Sequence, residues 1–532
     1  MTGPMSRDAA RVRRVNERPE STAGDYVLYW MQIARRLDHN HALDHAVAQA
    51  RRLGKPLVVY EGLRLDYPWQ SLRLHRFILE GMRANRDAAQ ALGLSYWPWV
   101  ESRPGEGRGL LVGLAARAAL VVTDDFPCFI VPGQTDALAA RAEVAVIAVD
   151  ANSVVPLSRL GPTVSAAAHL RPRIHRAFAD AWEHRAVARP RIPAVATRAV
   201  APPFEPAELG DLDALIAPLP VDRSVPPVAA SPGGAPAARR RLADFIAHRL
   251  RGTAEHRSHP APPAAAHQSG LSPYLHFGHL AIEEVVDRVL ASTGDWSPAV
   301  LDPRAAGRRE GFFCRDADVN SFLDEALTWR DLGLHWHRAR RADTARLDAA
   351  LPAWARATLG AHAADRRVHV YAREAWEVGA THDPLWNAAQ RELVATGTVH
   401  NYLRMLWGKK VLEWSRTPED AYATLVHLNN KYALDGRDPN SYTGILWCFG
   451  LFDRPWAPER AVLGRVRYMS SENTAKKFRL GPYLDYVASL PAPPPSSPSP
   501  PSRGRGRGEG ARGEGARGAR ADRKAAAGGA GP

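Results

Sequence analysis

Three tryptophans in the second half of the chain have a spacing that suits electron transfer. Trp407 and Trp414 are seven residues apart, which puts both indoles on one face of a helix, two turns apart. Gly397 is expected to end the preceding helix, from which Trp386 would reach the other two. Indole is among the most readily oxidised side chains, so three indoles beside a redox cofactor would conduct electrons. On spacing alone, an aromatic core stripe is the favoured interpretation.

A carboxylate, an indole and a guanidinium stand close together upstream. Glu325 and Trp329 are four residues apart and share a helix face, with Arg330 next in the chain. This combination could line a pocket for a planar, hydrogen-bonding ligand. A surface glutamate beside a half-buried tryptophan is the favoured interpretation of the pattern alone.

A Gly/Ser-rich turn leads into a predicted helix. Ser269, Gly270 and Leu271 precede Ser272, the predicted N-cap, and Pro273 at the first helical position. Free backbone N–H groups at a helix start, together with a hydroxyl, suit a phosphate. A capped helix without a ligand is the favoured interpretation of the capping pattern.

Polar and basic-aromatic segments follow Trp414. Asn429, Asp435 and Arg437 surround a Gly turn, which is typical of an Asx-type loop between helices. Farther along, arginines and tryptophans interleave in a pattern that suits a phosphate backbone and a stacked base. These residues are Trp447, Arg454, Trp456 and Arg467. A solvated basic face explains the same pattern equally well.

The elements that must position these residues fall into two sets. Residues 25–195 alternate short strands with helices, which predicts βαβ units and an α/β domain with a parallel sheet. Strands are predicted at residues 26–30, 56–60, 94–100, 119–123 and 144–149. No G-x-G-x-x-G follows the first strand, so the usual dinucleotide fingerprint is absent. Residues 196–240, rich in Pro and Ala, are predicted to connect this domain to an all-α domain over residues 241–490.

Composition limits the remaining possibilities. The 532 residues are 45% hydrophobic and 24% charged, as in a globular protein, with a net charge of +14. Much of the basic excess lies in residues 1–24 and 491–532, which we predict to be a disordered basic arm and a disordered Pro/Arg/Gly-rich tail. No apolar segment is long enough to span a membrane. Three widely spaced cysteines indicate neither a disulfide framework nor a metal site. We expect an intracellular, cytoplasmic monomer, associated with the nucleoid if the source is bacterial.

The order and spacing of these segments resemble class II cyclobutane-pyrimidine-dimer photolyases, within the photolyase/cryptochrome family. The similarity runs from Tyr26 to about residue 490. Its most specific motifs are Leu271-Ser-Pro-Tyr-Leu-His-Phe-Gly278, Thr381-His-Asp-Pro-Leu-Trp-Asn-Ala-Ala-Gln390, Trp407-Gly-Lys-Lys-Val-Leu-Glu-Trp414 and Leu434-Asp-Gly-Arg-Asp-Pro-Asn440. The resemblance implies a Rossmann-like antenna domain and a helical domain that holds FAD. Light would excite reduced, anionic FAD, which would pass an electron to a pyrimidine dimer flipped out of double-stranded DNA.

The resemblance also implies residue roles. Flavin contacts are implied for Ser269, Gly270, Leu271, Ser272, Arg330, Arg404, Asn429, Asp435 and Arg437. Within that set, Asn429 would face flavin N5, and Arg404 would pair with Asp435 beside the ring. Trp407, Trp386 and Trp414 would be the inner, relay and outer donors of photoreduction. Glu325 would hydrogen-bond the dimer between the walls Trp329 and Trp447. Arg454, Trp456 and Arg467 would hold the flanking DNA.

Some features depart from the family pattern or leave alternatives open. Thr253 stands where the family usually has a tyrosine that contacts FAD, and the segment over residues 256–268 is longer than usual. A light-sensing, cryptochrome-like flavoprotein without repair activity is one alternative, against which the retained Glu325, Trp329 and Trp447 argue. A nucleic-acid-binding module dominated by the Arg/Gly tail is another. A second antenna chromophore, such as a deazaflavin, has no compact motif and is neither predicted nor excluded.

Overall fold

The structure is a computed structural model that describes residues 9–340 and 346–492. The described residues all belong to one compact unit. The tail predicted to be disordered, residues 491–532, lies outside the described ranges from residue 493 onward. No helix within those ranges is long and apolar enough to cross a bilayer.

A six-stranded sheet forms the N-terminal part of the fold. Its strands are β1 (Val12–Arg14), β2 (Tyr26–Met31), β3 (Leu57–Leu63), β4 (Ser95–Val100), β5 (Ala118–Asp124) and β6 (Val146–Val149). They lie in the order β1-β6-β5-β2-β3-β4. All neighbouring pairs are parallel except β1 and β6. The five predicted strands and the predicted α/β class are confirmed.

The edge strand β1 corrects one prediction. Residues 1–24 were expected to be a disordered arm, and this is wrong for β1 and for Arg11, which is only 1% exposed. The Arg11 guanidinium donates to the backbone carbonyls of Ser153 and Val154, at 2.9 and 2.5 Å. Because these acceptors replace water around the charge, a basic segment can be ordered here. Composition alone does not reveal such acceptors.

Helices cover the sheet and form the rest of the molecule. They are α1 (His41–Leu53), α2 (Leu72–Leu92), α3 (Leu110–Ala116), α4 (Val131–Ala139), α5 (Ala167–Glu183), α6 (Leu212–Ile216), α7 (Ala235–His248), α8 (Thr253–His256), α9 (Ser272–His276), α10 (Ile282–Ala291), α11 (Ala317–Leu323), α12 (Arg330–Ala339), α13 (Leu347–Ala350), α14 (Ala353–Ala361), α15 (Arg373–Val378), α16 (Pro384–Thr396), α17 (Asn401–Trp414), α18 (Pro418–Tyr432), α19 (Pro439–Trp447), α20 (Ser471–Lys477) and α21 (Gly481–Ser489). One π-helical turn, Asp324–Trp329, joins α11 to α12.

Two hydrophobic layers sandwich the sheet. Alternate residues of β2 point to opposite faces, so Val27 and Tyr29 pack with α1 while Leu28 and Trp30 pack on the other side. α1 begins where the Asn40 side chain accepts the backbone N–H groups of Ala42 and Leu43.

Long α2 ties the sheet to the helical region. Its Phe77 packs against Tyr274 and Phe277, with ring centroids 5.5 and 5.2 Å apart. The Arg73 guanidinium, on the same helix, donates to backbone carbonyls of Val394 and Tyr432. The helical region is therefore held at a fixed position beside the carboxyl ends of the strands.

Candidate functional site

Four indoles, rather than three, form a contact series in the helical region. Trp407 and Trp386 stack with ring planes 7° apart and centroids 6.3 Å apart. Trp386 contacts Trp376 at 4.8 Å, and Trp376 stacks on Trp414 at 6.2 Å. All four rings are buried. Trp376 lies in α15 and has no periodic relation to the others in sequence, so only the packing of α15 against α16 reveals it.

Hydrogen bonds fix the two inner indoles. The Trp407 Nε1–H donates to Oε1 of buried Gln390 at 2.9 Å. The Trp386 Nε1–H donates to the backbone carbonyl of Trp407 at 3.0 Å. Gln390 is itself held by donation to the backbone carbonyl of Glu377. Each ring therefore has a defined orientation.

The carboxylate of Asp435 gathers donors from two distant segments. Arg404 donates from Nη2 to Oδ1 at 3.1 Å and from Nη1 to Oδ2 at 3.3 Å. The Ser272 hydroxyl donates to Oδ2 at 2.8 Å. The spacing predicted Ser272 as the N-cap of α9, and this is wrong: Ser272 is the first residue of the helix, and its hydroxyl donates to Asp435 rather than capping the helix. Arg404 lies three residues before Trp407 in α17, so both side chains project from one side of that helix.

The Ser269–Gly270 turn lies against an arginine that sequence analysis did not single out. Arg241 Nε–H donates to the backbone carbonyl of Ser269 at 2.9 Å. Gly270 has a φ of +65°, and a Cβ there would come within 2.4 Å of the Arg241 guanidinium. The buried Nε2 of Gln268 has no hydrogen-bond partner among the described residues. A cation and an unused donor beside a Gly turn suit an anionic ligand group.

The loop after α18 carries a second unused donor. Arg437 has a φ of +67°, and its backbone N–H donates to Asn430 Oδ1 at 3.0 Å. Its Nη1 donates to the Asn430 carbonyl, whereas buried Nη2 has no partner in the described ranges. Burial lowers the pKa of Arg437. Asn429 is buried beside this loop, and its amide donates to Asn430 Oδ1 at 3.2 Å.

Glu325 lies in the π-helical turn and forms an ion pair with Arg257. Arg257 follows α8, which is held by Asp318 through backbone N–H groups of Gly252 and Ala254. Burial raises the pKa of Glu325, and Arg257 opposes that rise. Both side chains stay about one-third exposed, at 34% and 32%. Such π turns occur frequently at functional sites. Arg257 lies in the segment that is longer than in the family pattern, and no sequence signal marks it.

Near Arg257, Thr253 has a structural contact of its own. It is buried, and its hydroxyl donates to the Arg249 carbonyl at 3.1 Å. This bond closes the turn between α7 and α8.

Trp447 lies on a buried cation. The Lys409 ammonium is 4.7 Å from the Trp447 ring centroid and donates to the Cys448 carbonyl at 2.8 Å. Burial lowers the pKa of Lys409 to about 8. Trp329 is half-buried and ends the π-helical turn that leads into α12. α12 packs on α19, the helix that ends at Trp447.

Arginines and tryptophans from the last basic segments do come together. The Arg467 guanidinium is 5.7 Å from the Trp447 centroid and 4.8 Å from that of Trp456. Arg454 lies over the same Trp456 ring at 4.7 Å. Trp456 Nε1–H donates to Asp453 Oδ1 at 3.1 Å. The result is a stack of cations and aromatic rings that reaches Trp447.

Arg330 hydrogen-bonds the segment that follows β6. Its Nη1 donates to the backbone carbonyl of Asn152 at 2.7 Å and lies 3.3 Å from Asp331 Oδ1. The Ser153 hydroxyl donates to the same Asp331 oxygen at 2.8 Å. Arg330 therefore ties the helical region to the sheet.

A cavity of about 790 Å³ opens at the carboxyl edge of the sheet. Trp30 and Met31 line it from the end of β2, and Leu63 lines it from the end of β3. Its wall also includes Tyr60, Trp99, Phe129, Arg64, Arg108 and Arg141. Cavities at the carboxyl ends of parallel strands are where open α/β sheets bind ligands.

Known proteins resemble this chain in sequence and in fold. The deoxyribodipyrimidine photo-lyase of Methanothermobacter thermautotrophicus is 33% identical over 483 residues, 91% of this chain and 99% of that protein. The rice protein of the same name is 35% identical over 485 residues, 88% of each chain. No family model matches.

Solved structures share the fold. A bacterial class III photolyase from Agrobacterium tumefaciens matches with a TM-score of 0.60 at 18% identity, over 87% of this chain and 86% of that one. An archaeal photolyase from Sulfolobus tokodaii, solved with two FAD molecules, matches with a TM-score of 0.55 at 14% identity, over 87% and 89%. These likenesses confirm the predicted architecture, and the sequence identities over nearly whole chains show that the protein belongs to the photolyase/cryptochrome family.

Proposed function

We propose that this protein is a class II photolyase, which repairs cyclobutane pyrimidine dimers in DNA by light-driven electron transfer from reduced FAD. The observation that carries the proposal is the convergence on α17. Trp407, the inner end of a buried indole series, lies one turn from Arg404, which holds the Asp435 carboxylate. The buried indole series therefore ends beside a polar cluster suited to a redox cofactor. The names of the relatives support the same activity.

The described residues fit FAD. Ser269, Gly270, Leu271 and Ser272 would hold its phosphates, with Arg241 supplying positive charge. The partnerless donors on Gln268 and Arg437 are the kind of group that a bound anion or a ring carbonyl satisfies. Arg404, Asp435 and Asn429 would face the ring system. The bound flavin supplies the electron chemistry, and the protein orients it and sets its local charge.

The lesion would enter between Glu325 and the two indoles Trp329 and Trp447. Aromatic walls suit flat, unpaired bases, and enzymes that act on bases take them out of the duplex. Arg257 brings a cation to the Glu325 carboxyl, where it can offset negative charge that develops on the dimer. Burial raises the pKa of the Glu325 carboxyl while Arg257 opposes that rise, and only the protonated carboxyl could donate a hydrogen bond to a dimer carbonyl.

Double-stranded DNA would lie along the stack formed by Arg454, Trp456 and Arg467. Guanidinium groups bind phosphates, and an aromatic ring can stack with an unpaired base. We infer that the protein acts as a monomer in the cytoplasm, with an antenna domain over residues 25–195 and a catalytic domain over residues 241–490.

The large cavity at the sheet edge is our proposed site for a second, light-harvesting chromophore. Its aromatic wall suits a planar ring of the deazaflavin class, and Arg64, Arg108 and Arg141 suit an acidic tail. Arg437 lines the cavity too, so this site adjoins the polar cluster of the catalytic region.

A repair assay tests the proposed function. The purified, flavin-loaded protein is mixed with a duplex oligonucleotide that contains one thymine dimer, and dimer loss is measured under blue light and in the dark. We expect loss in the light alone. Normal flavin binding without dimer loss would contradict repair and favour a light-sensing, cryptochrome-like function.

A further inference from the structure

The three tryptophans predicted from the sequence do not form a continuous series of ring contacts by themselves. Trp386 contacts Trp407 on one side and Trp376 on the other, with centroid separations of 6.3 and 4.8 Å. Within residues 9–340 and 346–492, the ring contacts of Trp414 are with His369, Tyr371, Trp376 and His382. The path of ring contacts from Trp386 to Trp414 therefore passes through Trp376.

We propose that Trp376 is a relay through which electrons from Trp414 reach Trp386 during photoreduction of the bound flavin. The inference rests on the proposed function, because it needs a flavin beside Trp407. It adds a fourth indole to the three that spacing and resemblance indicate.

The electrons balance along this series. With flavin bound, Trp407 would give one electron to the photo-excited, oxidised cofactor, and single-electron transfers would then move the radical-cation state outward to Trp386, Trp376 and Trp414 in turn. A soluble thiol in the solvent is oxidised and supplies the electron that restores Trp414. No covalent bond between residues forms or breaks.

The hydrogen bonds of the inner indoles favour electron transfer over deprotonation of an oxidised indole, which would trap the radical on one ring. Trp407 donates to an amide oxygen and Trp386 to a backbone carbonyl, and neither acceptor is basic enough to remove the indole proton. The oxidised rings therefore keep their protons, and the radical-cation state can move outward along the series.

The helix that carries Trp376 is firmly held. Glu377, the next residue, is buried and pairs with Lys431 at 3.0 Å and with His427 at 2.5 Å. Gly379 ends α15 with a φ of +67°. Trp376 is 1% exposed, and its ring is parallel to that of Trp414 within 8°. A buried, fixed ring in contact with both neighbours meets the geometric need of a relay.

Trp376→Phe tests the proposal, because phenylalanine keeps an aromatic ring but is not oxidised by an indole cation. In flavin-loaded protein we expect photoreduction to slow by about tenfold. Transient absorption should show a tryptophan radical that regains its electron from the flavin sooner than in the wild type. Flavin content and melting temperature check that the fold is intact. Trp336→Phe, which alters another buried indole in the same hydrophobic core, should leave the photoreduction rate unchanged.

A second comparison separates a relay from a packing residue. Trp414→Phe should slow photoreduction in the wild-type background but have no further effect in Trp376→Phe. Trp376→Met, whose flexible side chain fills irregular space, replaces the phenylalanine variant if that one does not fold.

Photoreduction within twofold of the wild-type rate in folded Trp376→Phe, or a full effect of Trp414→Phe in that background, would overturn the inference alone. A wild-type protein that binds no flavin would overturn the proposed function as well.

Discussion

The ammonium of Lys409 lies 4.7 Å from the ring centroid of Trp447, although Lys409 is only 1% exposed. A buried cation beneath an indole makes that indole harder to oxidise, because its positive charge opposes loss of an electron. This charge disfavours Trp447, a wall of the proposed lesion pocket, as an electron donor in the proposed pathway through Trp407. The same ammonium fixes the chain after α19 by donating to the Cys448 carbonyl.

The lowered pKa of Lys409 predicts a pH-dependent contribution to stability. Its pKa is about 8 in the folded protein, against 10.5 ordinarily. Between these values the unfolded chain binds the proton and the folded one does not, so the free energy of unfolding rises with pH. Relative to Lys409→Met, the wild type should gain up to about 3 kcal/mol between pH 7 and pH 10. Denaturant unfolding of both proteins measures the difference, and parallel pH profiles would contradict the lowered pKa.

Trp407→Phe is expected to abolish photoreduction without abolishing repair by chemically reduced protein. In the proposed function, Trp407 is the indole that connects the series to the cofactor, whereas the dimer would receive its electron from the flavin. The measurements are flavin absorbance under blue light and dimer loss after reduction with dithionite. Trp182→Phe, which alters a buried indole stacked on Phe178 beside the sheet, is the matched control and should photoreduce normally. Undiminished photoreduction of Trp407→Phe would refute its position at the inner end.

Glu325→Ala should bind lesion DNA but split the dimer about a hundredfold less efficiently, as expected when one polar contact to developing charge is lost. Removing Glu325 also leaves Arg257 without its partner, so part of the negative charge on the dimer is still offset. Repair yield per absorbed photon and lesion affinity are measured together. Glu310→Ala, at an exposed glutamate nearby in the chain, should change neither. Equal repair yields for Glu325→Ala and wild type would remove Glu325 from the mechanism.

Arg454→Ala and Arg467→Ala should weaken DNA binding and make it less sensitive to salt. Each lost phosphate contact lowers the slope of log affinity against log salt by about 1. Arg52→Ala removes an exposed guanidinium that pairs with Glu20 beside the sheet, and its slope should equal that of the wild type. Slopes that do not change in either arginine variant would place the DNA elsewhere.

Local chemistry explains which features could be predicted from the sequence. The strands follow from short β-branched and aromatic runs separated by helices. One helix, α17, carries both Trp407 and Trp414 as their spacing predicted. Features that depend on distant partners were missed. Trp376 joins the indole series only through the packing of α15 on α16, and Arg257 reaches Glu325 from an irregular segment.

The most direct test of electron transfer to the dimer is the lifetime of the light-excited state in fully reduced, flavin-loaded protein. It is measured with duplex DNA that contains a thymine dimer and with the same duplex undamaged. We predict that the dimer shortens the lifetime and that undamaged DNA does not. Equal lifetimes in the two complexes, at saturating DNA, would contradict the account.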